Sequence, residues 1–339
     1  MEQERDRDRV APLRYLSAAD VLAALPGVEE RIALAERTMV ALIADAQLPP
    51  KIGVRPRPVD SFGHAMPAWL RGGAEDGTDD LLGLKWVTGF PGNARMDLPA
   101  IHGTVILSDA LTGLPRAILD AGPITAHRTA AVSGLAIARW GPPDARARVA
   151  VVGAGVQARS HLPVIAHLLP NAELTLSDRD PIRLARLAED VAAGRGELGS
   201  FGHVASVVDP AEAVEGADLV VTVISFGPAR QSIPAAAFEP DATIIAVDYD
   251  MCVPATVAAT SDLFLVDDRE QFLANRVGAV FAGYPDPQAT IGAAILEGVR
   301  RPGGRVLVAH LGVGLADVVF GDAILRRADA ADLGTPLER

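Results

Sequence analysis

The chain has 339 residues, 49% hydrophobic and only 4% aromatic, with a formal net charge of −12. That length accommodates two domains, and an acidic balance with no basic stripe argues against nucleic acid or an anionic membrane as partner. No apolar run approaches the roughly 18 residues of a membrane span, and Cys252, the sole cysteine, allows no internal disulfide and points to the cytoplasm.

In chain order, the charged start MEQERDRDRV lacks a signal-peptide core and reads as a solvated tail. Ser17 and Asp20 have the spacing of a capping box, so helix is expected next, broken at Pro26-Gly27 and running to about Ala46. LPPKIGVRPRP is expected to be extended, because each proline fixes its own φ and restrains its predecessor. HAMPAWL, LLGLKWVTG, IHGTVILSD and LPRAILD then read as strands, the last two joined by a hairpin turn at DALTGLP. With no helices between them they are expected to pair antiparallel.

After Asp120 the pattern changes. ITAHRTAAVSGLAIARW is a long Ala-rich helix ended by GPPDAR. From Arg148 apolar strands alternate with helices (RVAVVG, AELTLSD, HVASVV, ADLVVTVIS, ATIIAVDYD, DLFLVDD), the signature of a parallel sheet covered on both faces. GLADVVFGDAILRRA is a closing helix. No His/Cys/Asp cluster has metal-ligand spacing, and His161 and His167 do not share a helical face.

Gly153-x-Gly155-x-x-Ala158 lies between a strand and a helix. The first glycine permits the tight turn, the second lets backbone approach a pyrophosphate, and Ala158 allows close helix–strand packing. Free N–H groups at the helix start meet the anion. Asp178 ends the next strand about 20 residues further on, where a carboxylate accepts from the adenosine ribose. It favours NAD, since a 2′-phosphate would be repelled; the adjacent Arg179 leaves NADP open.

Two cations sit where apolar residues belong. Lys85 interrupts an apolar strand and by alternation shares a face with Gly83, Val87 and Gly89. It either snorkels from an edge strand or binds an anion. Arg128 has Ile124, Ala131 and Leu135 as helical neighbours. A guanidinium on such a stripe needs an anion, either a protein acid or a bidentate ligand carboxylate. Lys51, Arg55 and Arg57 form a third basic cluster, which is either surface charge or part of the same recognition.

The run GLKWVTGFPGN…LPAIHGTVILSDALTGLPRAILDAGPITAHRTAAVSGLAIARW…VAVVGAGVQARSHL closely resembles the ornithine cyclodeaminase/mu-crystallin family, from about Pro49 to the end. The resemblance implies an α/β fold: a Rossmann-type parallel-sheet domain at 126–309, and an α+β substrate and dimerisation domain at 1–125, completed by 310–339. It also implies a homodimer. Lys51, Lys85 and Arg128 would hold a substrate α-carboxylate, with Arg55 beside them; Gly153, Gly155, Val156, Gln157, Asp178, Arg179, Thr222 and Ser225 would hold the cofactor. Cyclodeaminases carry an acid in a segment resembling Asn-Ala-Val-Gly-x-Asp. Here IIAVDYDMCVP puts Asp250 at the acid, as proton carrier, and Asp248 at the Gly; the other reading is two exposed loop acids. Ile245 replaces the usual Asn, and Val253-Pro254 replaces a Gly-Lys. His310 replaces a common Ser, either as a substrate-binding donor or as a satisfied core histidine.

The expected activity is hydride transfer between a nicotinamide and the α-carbon of a small amino or imino acid, with Lys85 and Asp250 in the catalytic machinery. The alternatives are an ornithine- or lysine-type cyclodeaminase that releases ammonia and regenerates NAD, and a non-catalytic mu-crystallin-like binder.

Overall fold

A computed structural model describes residues 12–96, 98–144, 146–226, 230–278 and 280–339. The charged start read as a solvated tail lies outside the described residues up to position 11. In chain order come β1 (Leu13–Leu16), α1 (Ala18–Ala23), α2 (Val28–Ala41), β2 (Ala46–Gln47), β3 (Ile52–Val54), β4 (Phe62–Leu70), β5 (Leu81–Gly89), β6 (Ile101–Ser108), β7 (Pro115–Asp120) and α3 (Ala121–Trp140). Next are β8 (Arg148–Val152), α4 (Val156–Leu168), β9 (Glu173–Ser177), α5 (Pro181–Ala192), β10 (His203–Val207), α6 (Pro210–Val214), β11 (Leu219–Thr222), β12 (Thr243–Ala246) and α7 (Ala255–Ala259). The last are β13 (Leu263–Val266), α8 (Arg269–Val277), β14 (Ala289–Thr290), α9 (Ile291–Leu296), β15 (Val306–Ala309), α10 (Gly314–Ala330) and β16 (Thr335–Leu337).

The chain divides into two units. One comprises the residues up to Gly27 with Asp45–Thr125 and Gly314–Arg339; the other comprises Val28–Ala44 and Ala126–Val313. Two parts of the expected division are corrected here. Residues 28–44 were expected with the first unit, but α2 packs in the second: Ile32 lies against Gly134, and Gly292 lets α9 come against the Met39 carbonyl with no room for a Cβ. Residues 310–313 also belong to the second unit, because they continue β15.

The first unit is a mixed sheet in the order β16-β1-β7-β6-β5-β4-β2, with β3 on the outer part of β4. β4 to β7 pair antiparallel, as their lack of intervening helices requires. β1 runs parallel to β7 and antiparallel to β16, and neither was read as a strand because each is too short to show alternation. β5 alternates buried and less buried residues, and α10 covers its buried face. Glycines set that contact: a Cβ on Gly83 would strike Val318, and one on Gly314 would sit 2.6 Å from the Met66 carbonyl oxygen. Ser17 caps α1 reciprocally with Asp20.

The second unit is the parallel sheet β10-β9-β8-β11-β12-β15-β13-β14. β11, β12, β13 and β15 are buried at every position, as strands with two covered faces must be. Strand order reverses between β8 and β11, the switch point outside whose carboxyl ends α/β proteins bind ligands. One side of the core is aromatic, with Phe264, Phe272, Phe281 and Tyr284 packed ring to ring.

Candidate active site

Within the second unit, the carboxyl edge of the sheet gathers the polar chemistry. Gly153 leaves β8 at φ +117, where a Cβ would lie 2.8 Å from the Val223 carbonyl oxygen, so glycine is demanded by both backbone and space. Gly155 is the N-cap of α4, makes no side-chain cap, and has nothing within 4 Å of a notional Cβ. No side-chain cap occupies the start of this 13-residue helix, a site suited to a phosphate. Ala158 is fully buried. Gly153, Gly155, Ser177, Asp178, Arg179, Arg183, Ile224 and Ser225 are among the residues lining one cleft.

Asp178 accepts from the Ala154 N–H and the Asp180 N–H, both at 2.8 Å, and Arg183 approaches it at 3.9 Å. Its carboxylate thus shapes the glycine turn as well as facing the cleft. Arg179 is exposed. Val156 is exposed at the start of α4; Gln157 gives its carbonyl to His161. Thr222 is fully buried, its hydroxyl donates to Asp248 at 2.8 Å, and it is not among the residues lining the cleft.

The acid positions after β12 differ from expectation. Asp248, matched to a glycine, is 1% exposed and is no exposed loop acid. It accepts from Thr222 and, at 3.4 Å, from the Ile224 N–H, tying β12 to the stretch that lines the cleft. Burial pushes its carboxyl up to about 6, against the lowering effect of these bonds. Tyr249 follows at φ +61, its hydroxyl pushed up by burial and by Asp267 and lowered by Arg128. Asp250 accepts from Arg230 at 2.7 Å and from the Phe281 N–H at 2.9 Å.

Arg128 is 6% exposed, and Ala131 and Leu135 of its helical stripe are buried. Its guanidinium fills the space a Cβ on Gly312 would need, the nearest nitrogen lying 2.6 Å from that notional atom. Gly312, at φ +82, donates its N–H to Asp267 at 2.6 Å. His310, two residues earlier, is buried, and its Nε2 lies 2.9 Å from Ser133 Oγ. Sequence reading missed Asp248, Tyr249, Asp267 and Gly312. Their shared signal is position: each lies in or just beyond the loop after a strand of the parallel sheet.

In the first unit, Lys85 is 2% exposed and meets Asp317 of α10 at 3.0 Å. This corrects the edge-strand reading: β5 is interior, between β4 and β6, so the side chain has no route to solvent along an edge. The anion that meets this ammonium is a protein acid distant in sequence. Lys51 is half-buried, while Arg55 and Arg57 are exposed. Burial, then the charges of Lys51 and Arg55, hold His64 down at about 4.

A sequence model of the ornithine cyclodeaminase/mu-crystallin family matches residues 18–250. The chain belongs to this family. It is 30% identical to the nodulation efficiency protein NfeD of Rhizobium meliloti, over 96% of this chain and 98% of that protein. It is 26% identical to an alanine dehydrogenase of Archaeoglobus fulgidus, over 90% and 92%. Its fold is that of the Δ1-pyrroline-2-carboxylate reductase of Thermococcus litoralis, solved with NADH and L-proline, at TM-score 0.81 and 23% identity over 96% of this chain and 100% of that one. Among the described residues no helix is long and apolar enough to cross a membrane, and no cluster of three or more His, Cys, Asp or Glu could hold a metal.

Proposed function

We propose that this protein is a nicotinamide-dependent oxidoreductase acting at the α-carbon of a small amino or imino acid, with NAD(H) as cofactor. The observation that carries it is the buried Arg128 guanidinium beyond β15, on the same sheet edge as the glycine turn beyond β8. The two strands are three places apart, roughly 14 Å at the usual strand spacing. The open Gly155, the uncapped start of α4 and Asp178 fit a dinucleotide. When bound, the nicotinamide supplies a hydride donor or acceptor.

In this reading Arg128 takes the substrate carboxylate through its planar fork, which orients the α-carbon. Lys85, fixed by Asp317, and the basic pair Lys51 and Arg55 are the first unit's candidate anion-binding residues. Asp248, through Thr222 and the Ile224 N–H, holds the end of β11 beyond which Val223 and Ile224 line the cleft, and Asp250 is the proposed carrier of the proton at the substrate nitrogen. The alanine dehydrogenase and pyrroline-carboxylate reductase relatives support this substrate class. Arg179 and Arg183 in the cleft lining leave NADP(H) as the second cofactor to assay.

The working form is proposed to be a homodimer in the cytoplasm. On the mixed-sheet face away from α10, strand register aligns Tyr15, Ile118, Ile106 and Leu84 in one row and Trp86, Ala65 and Ile52 in the next. Tyr15 is 40%, Trp86 41% and Ile52 65% exposed, an apolar face of the kind a second copy covers. Light scattering should report a dimer that Trp86→Lys weakens; an unmodified protein that runs as a monomer removes this part.

The activity is tested with NAD(H) and NADP(H) against alanine, ornithine, lysine, pyruvate plus amines, and pyrroline- and piperideine-2-carboxylates. Steady absorbance change at 340 nm is expected. Ammonia release without net absorbance change assigns a cyclodeaminase instead, and ligand-induced stabilisation with neither signal assigns a binder.

A further inference from the structure

A buried chain of three polar side chains crosses the second unit. His161 Nδ1 lies 2.6 Å from the Gln157 carbonyl oxygen, His161 Nε2 lies 2.8 Å from Ser133 Oγ, and Ser133 Oγ lies 2.9 Å from His310 Nε2. All three side chains are at most 2% exposed. The chain begins in the first turn of α4, passes through α3, which also carries Arg128, and ends just beyond β15.

Its protons can be assigned. A carbonyl only accepts, so His161 Nδ1 carries a hydrogen and donates to Gln157. Burial holds His161 down at about 4, so the ring is neutral and its Nε2 is an acceptor. Ser133 must therefore donate its only hydrogen to His161, which leaves its oxygen to accept from His310 Nε2–H. Burial, then His161 and Arg128, lower His310 well below its usual value, so it too is neutral, and its Nδ1 bears a bare lone pair. That Nδ1 is buried with no hydrogen-bond partner among the described residues. A buried acceptor left unmet forfeits the hydrogen bonds it would make in water. A satisfied core histidine would not present one.

We propose that His310 is a ligand-binding acceptor: its Nδ1, set in a single tautomer by Ser133 and His161, takes an N–H of the amino or imino group of the acid whose carboxylate Arg128 holds. This rests on the reading of Arg128 given above and adds to it the feature that separates amino acids from other carboxylates. Arg128 meets the anionic end and cannot discriminate further. A neutral acceptor within reach of its charge rewards a donor and offers nothing to an ether or methylene. Ser133 and His161 are positioning residues, since they act only through the tautomer of His310.

The test measures binding, with NADH present, of L-proline and of tetrahydrofuran-2-carboxylate, which keeps ring and carboxylate but has an oxygen in place of the N–H. The unmodified protein should prefer proline by roughly 10- to 100-fold, the discrimination lost when a polar partner is missing. His310→Phe should remove that preference and leave NADH binding alone. His310→Asn keeps a side-chain oxygen near the Nδ1 position and should retain much of the preference. Ser133→Ala should reduce it in part, and nitrogen NMR of the histidine rings should then show His310 losing its single Nε2–H tautomer. Equal binding of the two acids by the unmodified protein, or an Nδ1–H tautomer, overturns the inference and leaves the Arg128 reading standing. Failure of both acids to bind overturns the Arg128 reading and this inference with it.

Discussion

In the mixed sheet the buried charge is a cation: Lys85 on β5 is completed by one carboxylate, Asp317, from a helix 232 residues away in sequence. In the parallel sheet the buried charges at strand ends include acids that neighbouring loops complete with backbone N–H groups. Ala154 donates to Asp178, Ile224 to Asp248 and Gly312 to Asp267. An ion pair across a helix–sheet contact locks two elements together, whereas an acid held by loop amides sets loop shape. The first arrangement stabilises a scaffold; the second builds a binding edge.

Lys85→Met is the sharpest way to break this contrast. It should cost about 3–5 kcal/mol by removing the cation that the buried Asp317 meets, and Lys85→Met with Asp317→Leu should recover most of that in chemical denaturation. If the double variant is stable yet inactive while NADH still binds, Lys85 serves substrate as well as scaffold. Arg128→Ala should lower kcat/KM by about 2–5 kcal/mol of transition-state stabilisation while leaving NAD binding intact. Unchanged turnover discards the carboxylate contact.

The pH dependence of stability separates the buried histidine from the buried acid. His161 is held at about 4 in the fold against about 6.5 unfolded, so the unfolded chain binds more protons between those values. Its contribution is complete above about 6.5 and is lost as pH falls toward 4, up to roughly 3 kcal/mol. His161→Gln should flatten that part of the acid limb in thermal melts. Asp248 has the opposite sign: raised to about 6, it costs stability at neutral pH, and the cost falls as pH drops through 6. The stability difference between Asp248→Asn and the unmodified protein should narrow over that interval.

The smallest effect is expected at the cofactor turn. Asp178→Ala removes the acceptor for the Ala154 N–H and the proposed ribose contact, and should weaken NAD binding by about 1–3 kcal/mol while changing NADP binding less. Equal losses for both cofactors would make Asp178 a device for turn shape alone.

Much was legible in the residue order because it depends on neighbours along the chain. Alternation marked the Lys85 face of β5, continuous apolar runs marked the parallel strands, and the glycine spacing marked the turn before α4. The proline-rich stretch and the four antiparallel strands followed from backbone rules of the same local kind. Short elements such as β1, β14 and β16 carry too few residues for a period to show, so pairing alone defines them. Asp248 was indistinguishable in sequence from any loop acid, and only the meeting of β11 with β12 buried it on Thr222.

Sequence by itself determined the two-part α/β architecture, the dinucleotide turn and two cations too apolar in context to be ordinary surface charge. Tertiary structure decided how each charge is met: Asp317 for Lys85, loop amides for the acids, and the Ser133 hydroxyl that orients His310. The reason is that periodicity is a property of a segment, whereas a partner for a buried charge comes from whichever distant segment packing brings within about 3 Å.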